Sequence, residues 1–284
     1  MQVQRKPEWL RISRTSQDQF AEVSNMLNQQ KLHTICWSGK CPNKAECWSR
    51  GTATFMLLGD VCTRGCKFCA TTTGIPLPPD KTEPERLAHC VETMHLNYVV
   101  LTSVTRDDLP DQGAYHWRMC IEAIHNRCPN IKVEALIPDL SGKEELIEEV
   151  LKAKPDVLAH NIETVERLSP IVRSKATYAT SLHTLEVAHR LGFRTKTGIM
   201  LGLGENYDEV LQAMDDALSA GVAIFTLGQY LQPSKKHYPV VDYITPSAFN
   251  EYKHIALAKG FAFVESGPLV RSSYHADMAL KERE

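Results

Sequence analysis

From residue 53 onward, short apolar runs alternate with stretches whose apolar positions recur at helical spacing. Residues 53–58 read as a first strand. Thr82-Glu83-Pro84-Glu85 has the form of a capping box with proline in the first turn, opening a helix to His95. Residues 98–104 are a second strand, 114–127 a helix and 131–137 a third strand. Ser141-Gly142-Lys143-Glu144 repeats the capping-box pattern and opens a helix to Lys152. A fourth strand is expected over 156–161, a helix over 181–191 stopped by Gly192, and a fifth strand over 195–201. A helix over 207–220 ends at Gly221, and a sixth strand covers 224–230. Thr245-Pro246 starts a helix through Lys259, with a short last strand at 261–264. Six strands alternating with helices predict an α/β chain with a parallel sheet. Right-handed crossovers curl such a sheet into a partial (βα)6 TIM-type barrel, and its chemistry gathers at the C-terminal ends of the strands. Before residue 53 only 18–27 is periodic, with Phe20, Val23 and Leu27 on one face of a packing helix. The organisation expected is an N-terminal extension over 1–52, a barrel over 53–265 and a C-terminal extension over 266–284.

Composition narrows the class. The 284 residues are 43% apolar and carry a net charge of −2, which gives no global attraction to nucleic acid or to a membrane surface. No apolar run approaches the roughly 20 residues of a membrane helix. The first seven residues show no apolar signal core. A cytoplasmic location is therefore expected. The nine cysteines, an odd number, read as metal ligands rather than disulfides.

The cysteines carry the chemistry. Cys62-Thr63-Arg64-Gly65-Cys66-Lys67-Phe68-Cys69 places three of them at C-x3-C-x2-C just beyond the first strand. Thiolates so spaced can bind three corners of an iron–sulfur cube. With no fourth cysteine nearby, one iron stays open to substrate or cofactor. Zinc knuckles usually pair two C-x2-C units, and here only Cys66 and Cys69 make one, so zinc is the lesser reading. Cys36, Cys41 and Cys47 form a second triplet at C-x4-C-x5-C, where Gly39 and Pro42 permit a tight loop. A second cluster with a fourth ligand from elsewhere is expected, a three-thiolate zinc site being the alternative. Cys90 and Cys120 fall on predicted helices and read as small buried hydrophobes. Polar residues gather at the strand ends, at Thr102, Ser103, Asn161, Glu163 and, farther on, Arg173, with Glu134 within the third strand. The run from Gly198 through Gly202 to Glu205 lacks the Rossmann spacing, but its glycines suit close approach of a flat ring to the backbone.

The C-x3-C-x2-C triplet, with Phe68 before its last cysteine, resembles the signature of the radical S-adenosylmethionine (SAM) superfamily. Both triplets in order, the Gly198 to Glu205 run and the C-terminal Arg271-Ser272-Ser273-Tyr274-His275-Ala276 together resemble the lipoyl synthase family over nearly the whole chain. The resemblance implies two [4Fe–4S] clusters. Cys62, Cys66 and Cys69 would hold the one that binds SAM. Cys36, Cys41, Cys47 and Ser273 would hold the other, with Ser272 the second choice. It further implies SAM contacts at Phe68, Thr102, Ser103, Glu134, Asn161, Glu163, Arg173, Gly198, Gly202 and Glu205, and no side-chain acid or base. The implied reaction is insertion of sulfur at C6 and C8 of a protein-bound N6-octanoyl-lysine, with the N-terminal cluster as sulfur donor. The implied partners are octanoylated lipoyl carrier domains, namely E2 subunits of 2-oxoacid dehydrogenases and the H protein of glycine cleavage, with ferredoxin or flavodoxin as reductant. Lys40, Lys44 and Arg50 are expected to form a docking face for an acidic carrier. The rival readings are a radical-SAM dehydrogenase with a relay cluster, a two-cluster electron carrier and a zinc-binding module.

Overall fold

The computed structural model describes residues 6–10, 24–27, 29–39, 41, 43 and 54–280. Of the helix expected at 18–27, residues 24–27 are helical and the rest lies outside the described residues. So do Lys40, Pro42, Lys44, Cys47 and Arg50.

Among the described residues the strands are, in chain order, β1 (His33–Thr34), β2 (Thr54–Leu57), β3 (Val61–Cys62), β4 (Thr72–Thr73), β5 (Tyr98–Ser103), β6 (Lys132–Leu136), β7 (Val157–Ala159), β8 (Thr195–Leu201), β9 (Ile224–Gln229) and β10 (Phe263–Gly267). The helices are α1 (Ile35–Ser38), α2 (Glu83–Thr93), α3 (Ala114–Arg127), α4 (Glu144–Leu151), α5 (Ser169–Val172), α6 (Tyr178–Arg190), α7 (Tyr207–Ser219) and α8 (Pro246–Lys259). One sheet runs β1-β2-β5-β6-β7-β8-β9-β10, and every pairing but β1–β2 is parallel. Space follows sequence, and each parallel crossover carries a helix, so the expected six βα units are present. β10 and β1 extend the sheet at its two edges. The last strand starts two residues later than its apolar pattern predicts. Gly260 caps α8 in the left-handed region (φ 116°), and the next residue, Phe261, turns into the core against Phe225, ring centroids 4.9 Å apart.

Both predicted capping boxes fail, for one reason. An aspartate two residues upstream captures the backbone N–H of the would-be cap: Asp80 Oδ1 takes Thr82 N–H at 2.8 Å, and Asp139 Oδ1 takes Ser141 N–H at 3.2 Å. Thr82 makes no side-chain cap, and α4 starts after Lys143 rather than Ser141. The helix expected from Ser181 begins at Tyr178, capped by Thr177. The reciprocal box forms instead at α7, between Asn206 and Glu209.

The central strands β2 and β5 to β9 are largely buried on both faces, as helices on the outside of a parallel sheet require. Their outer faces pack Leu57, Leu101 and Val133 under α2, α3 and α4, and Phe225 and Leu227 under α7 and α8. Among the described residues no helix is long and apolar enough to cross a membrane. Polar groups inside the sheet come in closed sets. Lys196 Nζ donates to both oxygens of Glu134 (2.8 and 2.9 Å), and Tyr98 Oη donates to Glu134 Oε2 (2.7 Å), joining β8, β6 and β5. His160, just past β7, is buried; its Nδ1–H donates to Ile137 O at 2.9 Å, so Nε2 accepts from Ser181 Oγ at 3.0 Å. Burial, with the nearby Arg173 cation adding to it, pushes the His160 pKa down to about 4.

Lys196→Met leaves a buried carboxylate with only a phenol, and should cost about 3–5 kcal/mol. The double change Glu134→Leu with Lys196→Met should recover most of that loss in thermal or denaturant unfolding. His160 is held neutral in the fold, whereas the unfolded chain protonates it below about pH 6.5. Stability should therefore fall as pH drops from 6.5 towards 4. At pH 5 this amounts to roughly 2 kcal/mol, and His160→Asn should show a shallower pH dependence of unfolding than wild type.

Candidate active site

The site begins at the exit from β2. Leu58 turns at φ 66° and Gly59 at φ 91°. Leu58 N–H donates to the buried carboxylate of Glu83 at 3.0 Å, and the same oxygen meets His116 Nε2 at 2.6 Å. A Cβ on Gly113 would lie 2.5 Å from Leu58 Cδ1, so that glycine leaves the turn its room. Beyond it, β3 pairs with β4, and Gly74 N–H donates to Cys62 O at 3.0 Å.

The cysteine loop has no ladder of its own after Cys62, so neighbouring strand-end loops hold it. Thr63 N–H donates to Thr105 O (3.1 Å), and Lys67 N–H to Val172 O (2.8 Å). The Arg64 side chain, 7% exposed, runs between two loops, pairing with Asp107 beyond β5 (2.9 and 2.8 Å) and Asp139 beyond β6 (2.8 Å). Burial opposes its charge, but the two carboxylates outweigh burial and hold its pKa above the ordinary value. Cys62 Sγ accepts backbone N–H groups from Thr105 (3.3 Å) and Arg64 (3.4 Å), and Cys66 Sγ lies 3.6 Å from Ser174 Oγ.

These residues face a cavity of about 600 Å³. Of the residues expected at the site, Cys41, Cys62, Cys66, Cys69, Phe68, Thr102, Ser103, Asn161, Glu163, Arg173 and Ser273 line it, as does Ser272. Glu163 takes φ 69°, an unusual conformation for a glutamate, where its N–H and C=O bridge Gly198 O (3.0 Å) and Met200 N (2.9 Å). Burial raises the Glu163 pKa against the pull of Arg173 and Asn161, and burial lowers that of Arg173 against the pull of Glu163. Arg173 is aimed by bonds to Ser181 Oγ (2.7 Å) and Ile162 O (3.2 Å). Asn161 Oδ1 is buried with no protein partner.

The other expected residues sit elsewhere. Cys36 is buried behind the lining, and its C=O accepts Cys41 N–H at 3.2 Å. Gly39 has an ordinary φ of −77°; what it supplies is space, since a Cβ would lie 2.7 Å from Ile35 O. Glu134 is spent on Lys196 and Tyr98 and does not line the cavity. The room left by Gly198 is filled by Thr226 (a Cβ would lie 2.1 Å from Oγ1), and that left by Gly202 by Asp242 and Gln229. Glu205 folds back onto the N–H groups of Gly202 (2.5 Å) and Leu203 (2.9 Å), closing its own turn. Sequence reasoning missed Arg64 with Asp139, the strand-six end at Gln229 to Pro233, Met200, and Lys6, all of which line the cavity. Arg64 lay inside the motif, but its partners stand far along the chain.

The donor set fits an iron–sulfur cube. None of the eight described cysteines is in a disulfide. Among the described residues the only three ligating groups whose donor atoms all fall within 4.8 Å of one another are Glu83, His116 and Cys120. The C-x3-C-x2-C triplet lacks the paired C-x2-C units usual in zinc knuckles. Burial raises the Cys69 pKa although Thr71 opposes it, and a bound metal cation would offset that cost of ionising the thiol. The orphaned Asn161 oxygen awaits a donor from a bound molecule. The second triplet approaches the same cavity through Cys41. The segment carrying Ser273 is tied to it by Asn43 Nδ2, which donates to Leu269 O at 2.6 Å.

Comparison with known proteins agrees with this geometry. The family model described as the radical SAM superfamily matches residues 56–217. A lipoyl synthase of Phocaeicola vulgatus is 53% identical over 277 residues, covering 98% of this chain and 98% of that protein. One of Treponema denticola is 54% identical over 274 residues, covering 96% and 94%. The fold resembles that of methylornithine synthase (PylB), with TM-score 0.54 at 12% identity over 93% of this chain and 88% of that one. It also resembles that of Streptococcus suis SuiB bound to S-adenosylmethionine, with TM-score 0.60 at 12% identity over 78% of this chain and 54% of that one. The chain belongs to the radical SAM superfamily and, within it, to the lipoyl synthase family.

Proposed function

We propose that Cys62, Cys66 and Cys69 hold one [4Fe–4S] cluster and that Cys36, Cys41, Cys47 and Ser273 hold a second. With these the chain inserts sulfur at C6 and C8 of N6-octanoyl-lysine on a lipoyl carrier domain. The observation that carries the reading is that one cavity is lined by the whole C-x3-C-x2-C triplet and also by Cys41, Ser272 and Ser273. When bound, the first cluster with SAM supplies a radical able to take hydrogen from an unactivated C–H bond, and the second supplies sulfur. The remaining work falls to the protein.

Arg173, aimed by Ser181, faces the cavity as a fixed cation for SAM's carboxylate. Asn161 and Glu163 offer acceptors to hydroxyl groups, the former with a buried oxygen that has no internal partner. Thr102 presents a hydroxyl beside the cysteine loop and Phe68 an apolar face, whereas the Ser103 hydroxyl is taken by Trp117 Nε1–H at 3.2 Å. Met56, Val104, Leu136, Ile137 and Met200 supply an apolar stretch of the same lining. That stretch suits an aliphatic chain, which gains by leaving water and has no polar atom to satisfy.

The tie from Asn43 to Leu269 supports reading 1–52 and 266–284 as extensions that bring the second ligand set to a barrel of 53–265. We assign the carrier to E2 subunits of 2-oxoacid dehydrogenases and the glycine cleavage H protein, and the reductant to ferredoxin or flavodoxin. The location assigned is the cytoplasm, where free thiols persist. The docking face of Lys40, Lys44 and Arg50 lies outside the described residues.

Two experiments follow. Cys62→Ala should abolish 5′-deoxyadenosine formation, whereas Cys36→Ala should keep SAM cleavage and lose sulfur insertion; equal loss of cleavage in both contradicts the division of labour. Arg173→Met removes a charged hydrogen-bonding partner worth about 1.5–3 kcal/mol. It should raise the SAM concentration for half-saturation about tenfold to a hundredfold with iron content unchanged, as read by titrating the reduced cluster's paramagnetic spectrum with SAM.

A further inference from the structure

Residues 231–244, between β9 and α8, form no helix or strand, yet both ends of the segment are fastened. Tyr230 Oη donates to Tyr238 O at 2.7 Å. Gln229 donates to Asp242 O (3.0 Å) and accepts from Ile244 N–H (2.8 Å), and Val241 N–H donates to Gly202 O (2.9 Å). Between these anchors the segment crosses the cysteine loop and bonds to it twice. Tyr238 N–H donates to Lys67 O at 2.8 Å, and His237 Nε2 meets Cys69 O at 3.0 Å. A carbonyl only accepts, so Nε2 carries the ring proton, and Nδ1 accepts the hydroxyl of Ser234 at 2.8 Å. Gln232 Nε2 holds the His237 carbonyl at 2.8 Å.

We propose that His237, oriented by Ser234, is a positioning residue for the cysteine loop. It fixes the peptide following Cys69 and with it the direction from which that sulfur meets a cluster. The other peptide of Cys69 is fixed by its own N–H, which donates to Cys66 O at 3.1 Å. The two bonds hold both flanks of one ligand in a stretch where no strand ladder sets the peptide planes. Neither the C-x3-C-x2-C motif nor any spacing marks His237, which stands 168 residues from the carbonyl it holds. Hydrogen bonds one step beyond a ligand are worth about 10–100-fold in metal affinity or activity when removed.

The inference rests on Cys62, Cys66 and Cys69 being cluster ligands. Its test therefore compares variants with a wild type whose iron and sulfide are counted first; iron missing from the wild-type triplet sinks that reading rather than this one. Each anaerobically prepared chain carries its own control in the N-terminal cluster. In His237→Ala, iron should leave the SAM-binding cluster about tenfold faster under a chelator. The SAM-induced change in its paramagnetic spectrum should weaken, while release from the N-terminal cluster and the thermal midpoint stay at wild-type values. His237→Gln keeps an N–H at the reach of Nε2 and should restore most of the loss, and Ser234→Ala should show a smaller shift in the same direction. Equal loss from both clusters, wild-type release in His237→Ala, or no rescue by glutamine would each overturn the proposal.

Discussion

The structure turns on one requirement: three thiolates must be offered together from a loop too short to build its own hydrogen-bond ladder. The Arg64 guanidinium meets it by lying buried between Asp107 and Asp139, one from each of two successive strand-end loops. A buried cation costs much to leave unpaired and gains from charged acceptors in good geometry. The loop can therefore sit in only one place relative to β5 and β6. Thr105, Val172, Tyr238 and His237 then bind its backbone from other sides. The barrel supplies these partners because its strand ends converge on one mouth, and the cysteine loop lies across that mouth.

The same economy governs the interior. Parallel strands covered by helices bury both faces, so a polar side chain inside must find a partner on another strand or bind a ligand. Glu134, Lys196 and Tyr98 satisfy one another deep in the sheet, whereas Asn161 Oδ1, past the end of β7, has no protein partner. The unpaired Asn161 oxygen and the positive φ of Glu163 both lie at the cavity. Leu58 serves the site as well: its positive φ is held by Glu83 and His116 to turn the chain from β2 into the cysteine loop.

Much of this was legible in the sequence, and the failures have physical causes. The strands were readable because continuous apolar runs bounded by turn residues admit few other solutions. The cysteine spacings were readable because ligand geometry is local. Thr82 and Ser141 misled because a capping pattern does not record an aspartate two residues upstream that takes the same N–H. Glu134 reads from sequence as a cofactor contact because nothing near it reveals Lys196, its partner 62 residues on. Gly198 and Gly202 were read as room for a ring, and the space they leave holds Thr226, Asp242 and Gln229. The segment 231–244 was unreadable because it has no period, and its meaning lies in contacts with a loop far back in the chain.

The central claim is that this chain builds two separate inorganic centres on one cavity. The most direct test is the iron, acid-labile sulfide and zinc content of the anaerobically reconstituted chain. About eight irons and eight sulfides per chain, falling to about four of each when Cys62, Cys66 and Cys69 are replaced together, are the values expected of two cubes. Stoichiometric zinc, or about four irons that survive the triple replacement unchanged, would contradict it.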